Sequence, residues 1–138
     1  MLAPLFNILL NTQAYKNIMT KENIKTKRAY ERPLPEDGKR ILVDRLWPRG
    51  KTKKDLKIDE WLKDISPSLG LIKWFGHDPE KWPEFKKKYK AELKAKKDLL
   101  SKLKEFSQKG PLTLVYSAKD QKHNNAVVLK EMLQLNFR

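Results

Sequence analysis

No cysteine occurs in the 138 residues, which excludes a disulfide framework, a thiolate nucleophile and a zinc–thiolate site. Histidine is nearly absent as well. His77 and His123 are the only two, too few for a histidine-rich metal centre, and no metal is expected. Long apolar runs are missing. The stretch Leu2 to Leu10 has no positively charged start and no convincing small-residue cleavage site, so it reads neither as a signal peptide nor as a bilayer span. A Walker lysine loop, GxGxxG, GxSxG and HExxH are also absent, which removes the familiar nucleotide-binding and hydrolase signatures.

What the chain has is positive charge. There are 31 Lys+Arg against 17 Asp+Glu, a formal net charge of +14, with 39% hydrophobic and 35% charged residues. That balance is too apolar for a disordered polyelectrolyte and too polar for a membrane protein. Residues 81–109 alone contribute +7 of the excess. At helical spacing Trp82, Phe85, Tyr89, Leu93, Leu100 and Leu103 form one stripe and most lysines fall off it. The plain reading is an amphipathic helix with a solvated lysine face; the sharper one is a phosphate-tracking surface for nucleic acid. Lysine rather than arginine dominates, and Glu84, Glu92, Asp98 and Glu105 interrupt the stripe, which favours the plain reading.

The length fits one domain. Residues 1–18 differ in composition from the rest of the chain, and Met19 reads as the natural start, with 1–18 an extension. The alternative is an N-terminal helix packed on the domain. From Met19 onward, strand and helix signals alternate. Residues 24–30 read as a first strand suited to an edge, and RILVDRLW (40–47) as a buried strand stopped by Pro48 and Gly50. IDEWLKDI (58–65) reads as a short helix. Residues 66–76 carry a Ser-Pro cap signal, and Asp78-Pro79 reads as a cap. A long helix is expected from about Trp82 to Gln108, stopped by Gly110-Pro111. Residues 112–116 form a second buried strand and 126–134 a closing helix. The expected fold class is α/β, a small and mainly parallel sheet of about three strands flanked by helices in a three-layer, Rossmann-like single domain.

In open parallel sheets ligands bind outside the carboxyl ends of the strands. One buried strand ends in Asp44-Arg45-Leu46-Trp47-Pro48-Arg49-Gly50. The other ends in Tyr116-Ser117-Ala118-Lys119-Asp120, continuing to His123-Asn124-Asn125 at a helix start. Strand alternation sends Asp44 and Arg45 to opposite faces. The helix start favours an anion. Arg45, Arg49 and Lys119 supply positive charge, Ser117 and Asn124 hydrogen bonds, and His123 with Asp120 or Asp44 acid–base chemistry. Simpler roles stand beside these: Asp44 and Arg45 as a structural salt bridge, His123 to Asn125 as capping chemistry, and Trp47 and Pro48 as core and loop filling.

The strings DGKRILVDRLWPRG, WLKDISPS, KWFGHDPEKWPEF and LVYSAKDQKHNNAVVLKE, in that order, resemble the YeaO-like branch of the domain-of-unknown-function 488 family over about residues 24–135. The resemblance implies a small bacterial or archaeal cytoplasmic α/β protein and fits a start near Met19. Some relatives carry labels as MarR-type regulators, which the strand–helix alternation does not fit. More distant members are similar at the same edge, with an Asp-Arg pair after one strand and a Cys-His-Arg segment near the last. The matching positions are Asp44, Arg45 and His123, and the cysteine is missing, so thiol chemistry does not carry over. The residues and the resemblance together leave two main function classes. The first is binding or transformation of a small phosphate- or carboxylate-bearing ligand at the sheet edge; the second is a basic nucleic-acid-binding or regulatory module. A purely structural interaction protein is a third. The sequence names neither a cofactor nor an oligomeric state.

Overall fold

The computed structural model describes residues 12–135. Four strands, β1 (Ile24–Arg28), β2 (Lys39–Leu42), β3 (Glu60–Trp61) and β4 (Leu112–Tyr116), form one sheet in the order β1-β4-β2-β3. Every neighbouring pair is parallel. β4 is apolar nearly throughout and buried along its whole length, because it is hydrogen-bonded on both sides and covered on both faces. β1, with its lysines, takes the edge.

Six helices accompany the sheet among the described residues: α1 (Gln13–Asn23), α2 (Lys53–Leu56), α3 (Leu69–Phe75), α4 (Trp82–Leu93), α5 (Lys97–Lys109) and α6 (Asn125–Gln134). The two faces are unequal. Ile24, Ile41, Leu112 and Leu114 pack against Phe85, Tyr89, Leu93, Leu103 and Leu129 from the long helices, which forms the main core. The opposite face holds a small cluster, Ala29, Leu42, Leu56 and Val115, closed by Trp47, Ile58 and Trp61. At the amino end of that face Asp37 is fully buried among Lys25, Lys27 and Arg40, with Arg40 Nη1 donating to its carboxylate at 2.7 Å. Gly38 opens β2 with φ +63, and a Cβ there would collide with the Pro111 carbonyl that receives the Lys39 N–H.

Three expectations change. The segment 58–65 is not a helix: Glu60–Trp61 pairs with Ile41 and Leu42, and only Lys63–Ile65 makes a 3₁₀ turn. The open edge of β2 supplies the ladder bonds, and Asp59 accepts the Arg40 N–H at 2.8 Å, so pairing outweighs local helical spacing. This is also the fourth strand. The single long helix is two, broken at residues 94–96. An unbroken helix of that length would reach about 40 Å, longer than the sheet it covers, and the break keeps Leu93, Leu100 and Leu103 all in the core. Finally, β2 stops at Leu42 rather than running to Trp47. α1 continues across position 19 and packs against α5 and α6, whereas residues 1–11 of the expected extension lie outside the described residues. No helix among the described residues is long and apolar enough to cross a membrane.

Candidate functional site

β2 and β4 are parallel neighbours, so the segments leaving their carboxyl ends lie side by side. Val43 still donates to Val115 O at 3.1 Å, and the chain then bends at residues 44–46. The bend ends the alternation that would send Asp44 and Arg45 to opposite faces. Both line one cleft of about 860 Å³. β4 leads into Ser117, Ala118, Lys119 and Asp120 of the same cleft, and the turn before α3 contributes Ser66 and Pro67.

Asp44 ties the two strand ends together. Its Oδ2 accepts the Ser117 N–H at 2.9 Å and its Oδ1 accepts from Asn125 Nδ2 at 3.0 Å, while its carbonyl accepts from Trp61 Nε1 at 2.7 Å. Burial raises the Asp44 carboxyl above the ordinary range. Hydrogen bonds from Ser117 and Asn125 and the nearby His77 oppose that shift without cancelling it. The Ser117 hydroxyl acts in the same opposing direction but completes no hydrogen bond with a protein atom.

Arg45 is held from outside the sheet. Its Nη2 donates to Pro67 O at 3.1 Å, and its Nε is buried with no protein partner. The Pro67 turn is itself pinned by α4 and the residues after it. Tyr89 Oη donates to Ile65 O at 2.6 Å, Ser68 Oγ donates to Glu92 Oε2 at 2.6 Å, and Lys96 Nζ donates to Ser66 O at 2.9 Å. Arg45 thus rests on a turn that three side chains hold in place. Among the described residues Arg45, Arg49, Lys119 and Asp44 enter no salt bridge, so the structural Asp44–Arg45 bridge that stood as the simpler alternative is not formed. The 47–51 segment that carries Arg49 is fixed by Tyr30 Oη donating to Arg49 O at 2.9 Å and Trp47 Nε1 donating to Lys51 O at 2.5 Å.

His123 and Asn124 do not line this cleft. His123 Nδ1 meets Asp120 Oδ2 at 2.8 Å, and since an ionised carboxylate only accepts, Nδ1 carries the proton of that bond. Its ring packs edge-on against Trp82, centroids 5.2 Å apart. The His123 hydrogen bond, with the Lys122 N–H, holds the Asp120 carboxyl below its usual range. Asn124 is the buried N-cap of α6, accepting the Val127 N–H at 3.1 Å. Asp44, Arg45, Arg49, Ser117, Lys119 and Asp120 are therefore together, and His123 and Asn124 order the turn behind them.

Trp47 packs against Trp61 and Pro48 is buried, so both fill the structure while also forming cleft wall. Asp78 caps the turn after it, as its sequence suggests, accepting the Glu80 N–H at 3.0 Å. His77, its neighbour, instead lines the cleft. It sits at φ +57, directly after Gly76 at φ +54. Two consecutive left-handed residues past the end of α3 turn His77 back toward Asp44; Gly76 is a recognisable helix stop, but no sequence signal marks the left-handed His77. Tyr30 is a further cleft residue with no distinctive motif, and Pro67 and Asn125 line the cleft from the Ser-Pro cap and the helix start that the sequence marks only for local structure.

Residues 23–138 match a family model described as "Inactive DUF488-N3 subclade". The chain is 46% identical over 112 residues to the uncharacterized protein YeaO of Escherichia coli (strain K12), covering 81% of this chain and 97% of that protein. It is 34% identical over 116 residues to uncharacterized protein Mb3100c of Mycobacterium bovis (strain ATCC BAA-935 / AF2122/97), and equally so to uncharacterized protein Rv3073c of Mycobacterium tuberculosis (strain ATCC 25618 / H37Rv), covering 84% of this chain and 98% of each. No solved structure matches it.

Proposed function

The chain belongs to the DUF488 family, in its YeaO-like branch, and on that premise we propose that it binds a small phosphate- or carboxylate-bearing molecule at the carboxyl edge of its sheet. The observation that carries this reading is Arg45. It is a half-buried guanidinium in a cleft wall, fixed by a neutral carbonyl and paired with no carboxylate among the described residues. A charge held out of bulk water without a counter-ion is costly, and an anionic ligand removes that cost. Arg45 acts as the anchor, Arg49 and Lys119 as outer charges, and Ser117 as a hydrogen-bond donor. Asp120 lies in the cleft wall, His123 orders the turn behind it, and Asn124 fixes the helix that follows. The lack of cysteine, and the subclade's description as inactive, favour binding over turnover.

The lysine-rich helices have other partners. Lys86 and Lys90 pair with Glu131, Lys102 with Glu60 and Lys109 with Glu105, and Lys81 and Lys88 lie over Trp74. Their local engagement favours the cleft over a nucleic-acid surface as the site of function.

A thermal-shift screen of the full chain against a library of anionic metabolites tests the reading. A ligand present at about a hundred times its Kd adds about 2.7 kcal/mol of stability. Arg45→Ala is expected to abolish the shift and His123→Ala to reduce it far less. A screen without an Arg45-dependent hit refutes the reading.

A further inference from the structure

The charges and the apolar surface of the cleft narrow its ligand further. Three fixed cations, Arg45, Arg49 and Lys119, share the cleft with two carboxylates, Asp44 and Asp120, which leaves a single net positive charge when the His77 imidazole, also in the cleft, is neutral. A monoanion balances that charge. A dianionic phosphate monoester would bring a second negative charge against the half-buried Asp44, whose oxygens are already held by Ser117 and Asn125.

The rest of the wall is apolar. Leu46 on the bend after β2 is 75% exposed, and Leu69 and Ile72 on α3 are 55% and 38% exposed, although all three line the cleft. A lone exposed leucine is ordinary. Three large aliphatic side chains from two separate elements, gathered on one cleft beside an unpaired arginine, form a surface for an apolar body attached to an anionic head. α3 can present Leu69 and Ile72 because its other side, Leu71 and Phe75, is spent on the core.

Resting on the anion-binding reading, we infer that the ligand is an apolar monocarboxylic acid, its carboxylate on Arg45 and its hydrocarbon against Leu46, Leu69 and Ile72. An arginine–carboxylate contact suits the planar head, and each methylene moved out of water onto the leucines adds to affinity.

The test titrates the full chain with acetate, octanoate, 2-naphthoate, octanamide and inorganic phosphate, tracking amide chemical shifts and heat. Octanoate or 2-naphthoate is expected to bind at least about tenfold more tightly than acetate, phosphate or octanamide. Leu69→Ser, on an exposed position, should weaken the apolar acid by roughly fivefold or more and leave acetate unchanged. Arg45→Gln should weaken every carboxylate, while unliganded melting temperatures confirm that both variants fold. Phosphate or acetate binding as tightly as the apolar acids, still dependent on Arg45, overturns this inference and leaves anion binding standing. Octanamide matching octanoate, or no Arg45-dependent binding of any probe, overturns both.

Discussion

Asp37 and Asp44 are carboxylates at opposite ends of one sheet, and burial acts on both with opposite outcomes. Burial alone raises each. At Asp37, hydrogen bonds from Lys25, the Leu34 N–H and Lys27 outweigh it and hold the carboxyl well below its usual range. At Asp44 the partners are a backbone amide and an asparagine, and burial prevails. The signs for stability therefore differ. Asp37 contributes stability above the unfolded aspartate value of about 3.9, and that contribution is lost as pH falls below it. Asp44 takes up a proton more readily when folded, so its contribution grows as pH falls toward the same value from above. Asp37→Asn is expected to cost about 3–5 kcal/mol near neutral pH, because Arg40 and Lys27 lose their buried counter-charge. The variant should also show a flatter loss of stability below about pH 4 in urea titrations. A variant as stable as the parent at neutral pH would show that the cluster is not holding the amino end of the sheet.

At the scale of elements, most boundaries follow from local chemistry. Pro83 sits at the start of α4, Gly76 ends α3 and Asn124 caps α6, each as its residue type demands. Asn124→Ala removes the acceptor for Val127 N–H and the donor to Asp120 O. It should cost about 1–2 kcal/mol of unfolding free energy in denaturant titrations. The loss should also appear as faster amide exchange in the first turn of α6; unchanged exchange there would refute a capping role. β3 is the element that local chemistry misassigned. Ile58, Trp61, Leu62 and Ile65 have helical spacing, yet the unpaired edge of β2 offered backbone partners to Glu60 and Trp61, and their gain lies in contacts about twenty residues away.

For the whole molecule the dominant quantity is its net charge of +14. Self-repulsion among the lysines destabilises the compact state, whereas the lysine–glutamate pairs on the surface are each worth at most about 1 kcal/mol. Added salt screens both, and the repulsion is the larger. The melting temperature should therefore rise by a few degrees between about 10 and 150 mM salt. A fall over that interval would mean that the surface pairs carry more stability than the excess charge removes.

How much was legible depends on whether a residue's role is set nearby in the chain. Composition and periodicity by themselves determined a single α/β domain, the buried β4, the edge strand β1 and the closing helix, because burial patterns and caps are read within one turn or strand. The strand-end clusters at Asp44–Arg49 and Ser117–Asp120 were legible as polar residues after buried strands. Only the tertiary structure decided that β2 and β4 are adjacent and parallel, which gathers those clusters on one cleft. It also decided that Arg45 leans on the Pro67 carbonyl, that His77 turns into the cleft through a left-handed backbone, and that His123 packs against Trp82. Each of these depends on groups distant in the chain or on a backbone conformation, and no side-chain pattern encodes either.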